Sequence, residues 1–506
     1  MIFGDRTLVW VLAIVNVLVH LAFFNHLEFH RDELLYFSMG QHLAVGYATV
    51  PPLIGWVSAV VQSIFGFSVF AARLLPALLS GVMIFLIAGI TRELRGSVYA
   101  ILLASVAFMF APVGMRPFFL FQPVGFDILF WTLVWYLILK YINTGQARFL
   151  MFLGCAAGFG LLNKYLIGLL LGALVITLFF SRYRQIFTKR AFYAGTGIAI
   201  LIIMPNLAWQ VLSDFPALDH LSELSRSQLV HVDRGIFLAE QLLMPFAASV
   251  LTLPGLVFLI KDKKMKPFRF LPFAVIIVVG VLLLLRGKSY YTAGIFPLLI
   301  SAGAVFWERI LHKTWTKFAL VSMIPVVTLP VIPMGLPVFG VDGLIRYFQR
   351  LEKLGIDVGR RFEDGSIHSL PQDYADMIGW EELTQIVKKA YEEVRDKETC
   401  LIYGENYGQA GAVTVIGEKY GLPDAVSFHD SFRFWVPDKF NPDINTLIYI
   451  NDELGSDVES LFSNIRLVGQ INDIHAREFG TKVYLCSNPF RSLNTFWKEI
   501  LSRENI

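Results

Sequence analysis

Apolar residues run in long blocks through the first two thirds of the chain and thin out after about residue 340. A membrane-spanning helix takes about 20 apolar residues, fewer where it is bent or the bilayer is thinned. By that measure the pattern predicts crossings at 8–27, 74–91, 98–115, 123–141, 148–162, 165–180, 191–209, 236–260, 270–286, 293–309 and 318–338. Eleven is an odd number, so the tail emerges on the side opposite the N-terminus. The first block follows a single Arg6 and precedes no small-residue cleavage site, so it reads as a retained helix. Stretch 148–180 is basic at both ends, which favours two short helices turning at Asn163-Lys164 over one tilted helix.

Between the first two blocks lies EFHRDELLYFSMGQHLAVGYATVPPLIGWVSAVVQSIFGFSVFAARL, too polar to cross and too apolar to float free. Leu34, Leu35, Phe37, Met39 and Leu43 alternate with Ser38, Gln41 and His42, and Pro51-Pro52 then breaks the chain. That pattern predicts helices lying in the membrane interface. Beyond residue 340, the short β-branched runs 400–404, 446–450, 466–470 and 482–487 predict strands, and 380–395 and 409–420 carry helical spacing. The expected architecture is an α-helical polytopic membrane domain over 1–340 and a soluble α/β domain with a partly parallel sheet over 341–506.

Composition sharpens this division. The chain is 55% hydrophobic and 16% charged, with mean hydropathy +0.58, values outside the soluble globular range. The first 340 residues hold 25 basic and 13 acidic residues and the tail 18 and 27, a local charge of +12 against −9. The basic residues are scattered between apolar blocks and form no stripe, which excludes nucleic acid as a partner. With the N-terminus inside, seventeen Lys and Arg fall in inner loops and eight in outer ones, so the tail is expected outside the plasma membrane. Of three cysteines, Cys155 lies in an apolar block, whereas Cys400 and Cys486 share the tail and could pair there.

Ionisable groups near a membrane are expensive, and their default reading is functional. The outer loops hold a short list: Arg31, Asp32 and Glu33; Arg116 and Asp127; Lys164; and Arg286, Lys288, Tyr290 and Tyr291. Each has a structural alternative. Asp32-Glu33 could be a solvated helix end, Asp127 an N-terminal cap, and Arg286 and Lys288 snorkelling side chains. Lys164, in a tight turn between two apolar helices, has little water to reach. Cations match phosphate oxygens, and a nearby carboxylate can take a proton from a hydroxyl. A phosphorylated lipid and an acceptor alcohol or amine suit such a set. His30, His42 and His231 have no metal-ligand spacing, so no metal site is assigned and a divalent ion is left open.

The segments that carry these residues resemble a known family. RDELLYFSMGQHLAVGYATVPPLIGWV, FQPVGFDILFWTL, GLLNKYLIGLLL and GKSYYTAGIFPLLISAGA resemble, in order, the GT-C glycosyltransferases of the protein O-mannosyltransferase and lipid A aminoarabinose transferase group. The tail stretches LPQDYADMIGWEELTQIV and YGENYGQAGAVTVIGEKYGLPDAVSFHDSFRFW are similar to that group's extracytoplasmic domain. The resemblance implies that Asp32 is the catalytic carboxylate with Glu33 beside it. It implies that Lys164 and Lys288-Tyr290-Tyr291 lie near the lipid phosphate, and that Asp127 is the acidic position of the second outer loop. Gly125-Phe126 before Asp127 departs from the Pro-Asp step of many relatives. A polyprenyl-phosphate sugar as donor, inversion at the anomeric carbon and a protein, lipid or glycan acceptor in the cell envelope are the implied chemistry. The competing reading is a transporter or flippase of lipid-linked sugars, against which stand the lack of a sequence repeat and the placing of the charges at helix ends.

Overall fold

The computed structural model describes residues 4–504 apart from 357, 358, 361, 363 and 364. The side chain of His231, weighed above as a metal ligand, lies outside this set, as do the outermost residues of both expected domains. Contacts divide the chain into two compact units. One comprises Met1–Phe24, Val50–Leu53 and Arg73–Val338, and the other Asn25–Thr49, Ile54–Ala72 and Phe339–Ile506.

The first unit is helical. Among the described residues five helices are long and apolar enough to cross a membrane: Val69–Glu93, Pro123–Thr144, Arg190–Leu212, Ser289–Ile310 and Thr314–Gly335. Two bent pairs, Val98–Met109 with Pro112–Phe118 (84°) and Arg234–Leu243 with Phe246–Lys261 (86°), would raise the number to seven. Both bends fall beside a proline, Pro112 and Pro245, where the ring removes a backbone donor and disfavours helix in the preceding residue. Arg148–Asn163, Ile167–Phe179 and Phe270–Leu284 are apolar but shorter, and stretch 148–180 breaks at Lys164. Arg73 is 1% exposed. Its guanidinium donates to the Phe24 carbonyl at 2.9 Å and lies 4.4 Å from the Phe119 ring centroid, so this cation serves packing.

The second unit joins the segment after the first helix to the tail. That segment forms helices Arg31–Gln41 and Leu53–Phe65 on either side of the Pro51-Pro52 break. In the tail, strands β1 (Cys400–Gly404), β2 (Thr446–Asn451), β3 (Phe462–Gln470) and β4 (Lys482–Pro489) form one sheet of order β1-β2-β4-β3. Only β1 and β2 run parallel. Cys400 pairs with Thr446 across β1–β2, and Cys486 with Leu447 across β2–β4. With β2 between them the two cysteines stand about 9–10 Å apart, two strand spacings, beyond the roughly 7 Å limit for a disulfide. Pairing within the chain is therefore excluded. Both are free thiols, pushed up to about 12 by burial.

Helix Trp380–Glu392 covers this sheet with Trp380, Leu383 and Val387 buried. Its N-terminal amides are satisfied from the first loop: Glu28 Oε2 accepts from the Trp380 and Glu381 N–H groups at 2.8 and 3.0 Å. Burial, only partly opposed by these amides, raises the Glu28 carboxyl above its usual range. The folded unit then holds a proton more tightly than the unfolded chain, so the stability Glu28 contributes is full at low pH and is lost as pH rises through its folded pKa. Glu28→Gln, whose amide oxygen can still accept both N–H groups, is expected to flatten the fall of the thermal midpoint with rising pH above about 4.5. A midpoint curve parallel to wild type from pH 4 to 8 would exclude this role.

Candidate active site

In the second unit the capping chemistry of one helix places the acidic pair. His30 precedes helix Arg31–Gln41, and its Nδ1 accepts from the Asp32 N–H at 3.1 Å. Glu33 Oε2 in turn accepts from the His30 N–H at 2.8 Å, closing a reciprocal cap. Glu33 is fully buried and held by this cap. Asp32, one residue earlier, keeps a carboxylate with about a third of its surface exposed. Its Oδ1 accepts from the Tyr407 hydroxyl at 2.9 Å. Arg31 places its guanidinium 4.4 Å from the centroid of the same Tyr407 ring.

Behind this layer His30 Nε2 stands 3.9 Å from both Asp373 Oδ1 and Asp376 Oδ2, and Arg477 Nη1 is 3.3 Å from Asp376. Burial lifts the Asp376 carboxyl above its ordinary value, and His30, Arg477 and Arg31 oppose the rise. Burial and the Asp32 charge together push the Tyr407 phenol well above its ordinary value, so it remains a hydrogen-bond donor.

In the first unit a second set is gathered by the start of one helix. Asp127 lies one turn into Pro123–Thr144, is 6% exposed, and accepts from Trp131 Nε1 at 3.1 Å. Asn163 donates from Nδ2 to the Pro123 carbonyl at 2.9 Å, tying the 163–166 turn to that same helix start. Lys164 follows in extended conformation and interacts electrostatically with both Asp127 and Lys288. Its Nζ lies 5.0 and 4.7 Å from the ring centroids of Tyr290 and Tyr291, which meet edge to face at 4.8 Å.

The turn bearing these tyrosines, Ser289–Ile295, sits on the Asp127 helix because Gly294 has no side chain: a Cβ there would overlap the Trp131 indole. Trp135 Nε1 also donates to the Gly294 carbonyl at 3.0 Å. Three sequence segments thus bring Asp127, Lys164, Lys288, Tyr290 and Tyr291 together. Arg286 is exposed and donates to the Val230 carbonyl at 2.9 Å. Arg116 opens the short turn Arg116–Phe118 with its guanidinium nitrogens shielded from solvent. Among the described residues no three His, Cys, Asp or Glu side chains are grouped to hold a metal.

Sequence reasoning missed Tyr407 as a partner of Asp32. Its segment, YGENYGQAGA, was conspicuous, but nothing in the pattern links it to a residue 375 positions away.

Residues 49–209 match the sequence profile of the dolichyl-phosphate-mannose-protein mannosyltransferase family. No curated protein sequence matches the chain at a significant level. Among solved structures, ArnT from Cupriavidus metallidurans bound to undecaprenyl phosphate superposes with TM-score 0.64 at 15% identity, covering 96% of this chain and 98% of that one. The apo state of the same protein gives TM-score 0.62 at 15% identity over 95% and 97%. A mannosyltransferase sequence pattern over residues 49–209 thus lies within a chain whose fold is like that of ArnT.

Proposed function

We propose that this protein moves a sugar from a polyprenyl-phosphate donor to an acceptor outside the cytoplasm by a single inverting displacement. The observation that carries the reading is the Lys164–Lys288 pair framed by Tyr290 and Tyr291 at the end of apolar helices, a cationic, aromatic-walled seat suited to one lipid phosphate. The undecaprenyl phosphate named for the ArnT structure supports that donor class. Asp127 orients Lys164, and Arg286 and Arg116 add positive charge along the outer loops.

In the reaction the acceptor hydroxyl or amine gives its proton to Asp32 as its lone pair attacks the anomeric carbon. The bond from that carbon to the phosphate oxygen breaks, and the polyprenyl phosphate leaves with the electron pair. The phosphate is a good leaving group, so cations stabilising its charge take the place of a general acid. Arg31 and Glu33 hold the helix that carries Asp32. Eleven crossings with the N-terminus inside make residues 1–340 the catalytic domain, and the tail, 341–506, is extracytoplasmic.

Membranes of a strain lacking this chain hold unused donor and unmodified acceptor. Adding the purified full-length protein to them is expected to regenerate the missing glycoconjugate and to release one polyprenyl phosphate per sugar transferred, both read by mass spectrometry. Movement of lipid-linked sugar across the bilayer without release of polyprenyl phosphate would overturn the proposal in favour of a flippase.

A further inference from the structure

The tail supplies a side chain to the proposed base. Tyr407 is the first residue of helix Tyr407–Gly411, which starts directly after strand β1. Asn406 caps that helix, accepting the Gly408 and Gln409 N–H groups at 2.9 and 3.1 Å, while Gln409 returns its side-chain oxygen to the Glu405 N–H at 2.9 Å. Glu478 then accepts from both Asn406 Nδ2 and Gln409 Nε2, at 3.1 and 2.8 Å. Every polar group at this helix start is thereby committed to holding its direction.

The same helix is pressed onto the Asp32 helix through two glycines. A Cβ at Gly408 would collide with Arg31 Cγ at 2.8 Å, and one at Gly411 with Leu34 Cβ at 2.9 Å. Gly408 and Gly411 are three apart, as are Arg31 and Leu34, so one face of each short helix meets the other. Tyr407 is also confined at its ring. Arg31 lies over one part of it at 4.4 Å, and the His429 imidazole stacks at 5.2 Å with an interplanar angle of 13°. A hydroxyl so fixed delivers its hydrogen bond to Asp32 Oδ1 at 2.9 Å.

We infer that Tyr407 is a positioning residue for sugar transfer, its hydroxyl fixing the Asp32 carboxylate so that the acceptor proton is taken in the orientation the displacement needs. The inference rests on the proposed role of Asp32 as base. It gives the tail a direct part in turnover, since a carboxylate displaced by about 1 Å from its working geometry loses on the order of 100-fold in rate.

The test uses the purified full chain with membranes of the deletion strain, following release of polyprenyl phosphate while the amount of membrane is varied. Tyr407→Phe keeps the ring between Arg31 and His429 and removes only the hydroxyl. It is expected to lower kcat by about tenfold or more, with the half-saturating membrane concentration and the thermal midpoint unchanged. A Phe variant within about twofold of the wild-type kcat would overturn the inference. Asp32→Asn run alongside separates the two levels: if it retains turnover, the base assignment itself is wrong, whereas its loss beside an unaffected Phe variant removes Tyr407 alone.

Discussion

Asp32→Asn is expected to cut turnover by about 1,000-fold while leaving the affinity for undecaprenyl phosphate unchanged. The amide has the shape of the carboxylate, and its oxygen can still accept the Tyr407 hydroxyl, so the contact made at 2.9 Å survives. The reciprocal cap also survives, because it is built from His30 and Glu33 and not from the Asp32 side chain. What disappears is the site proposed to receive the acceptor proton. Such a loss acts on the transition state alone, so kcat and kcat/KM should fall together. Isothermal titration with undecaprenyl phosphate and steady-state release of polyprenyl phosphate measure the two quantities. More than a tenth of wild-type turnover in the variant would remove Asp32 from the chemistry.

The second large effect is expected at Lys164. Its ammonium sits beside two tyrosine rings at 5.0 and 4.7 Å, with Asp127 and Lys288 as electrostatic neighbours. Two cations in one cluster repel each other until an anion arrives, so a phosphate relieves that repulsion and gains charge-assisted hydrogen bonds of its own. Lys164→Ala should therefore weaken undecaprenyl phosphate binding by about 10- to 100-fold, the value of a hydrogen bond to a charged group. Lys164→Arg should restore only part of it, because a planar fork does not replace a compact point charge between two rings. Titrations at several ionic strengths read the effect, and the wild-type affinity should fall more steeply with salt than that of the Ala variant. Equal affinities for Ala and wild type would dissociate the cluster from the donor phosphate.

Much of this arrangement was legible from local pattern. The four tail strands begin and end within a few residues of the β-branched runs that predict them, because alternation and β-branching act on a scale of five residues. The break at Lys164 follows from charge at both ends of stretch 148–180, and the helix Pro123–Thr144 from an apolar block opened by a proline. The reading fails where the deciding contact is distant. Segment 409–420 has helical spacing, yet its helix starts at Tyr407 and widens at Ala412–Ile416 into a π-helical turn.

A cap such as Asn406 with Gln409 is visible in the sequence, and its target is not. Glu28 beneath Trp380 and Asp32 against Tyr407 join residues 352 and 375 positions apart. No periodicity encodes such pairs, and they join the segment around residues 25–49 to the tail in one unit. The partners of Arg73 are likewise distant in sequence: Phe24 and Phe119 come from other turns of the same bundle.

The distance in sequence between Asp32 and Tyr407 also orders events during synthesis. The helix bearing the carboxylate leaves the ribosome 375 residues ahead of the phenol that grips it. A chain that stalls or is clipped before residue 407 therefore carries Asp32 without the phenol that hydrogen-bonds it.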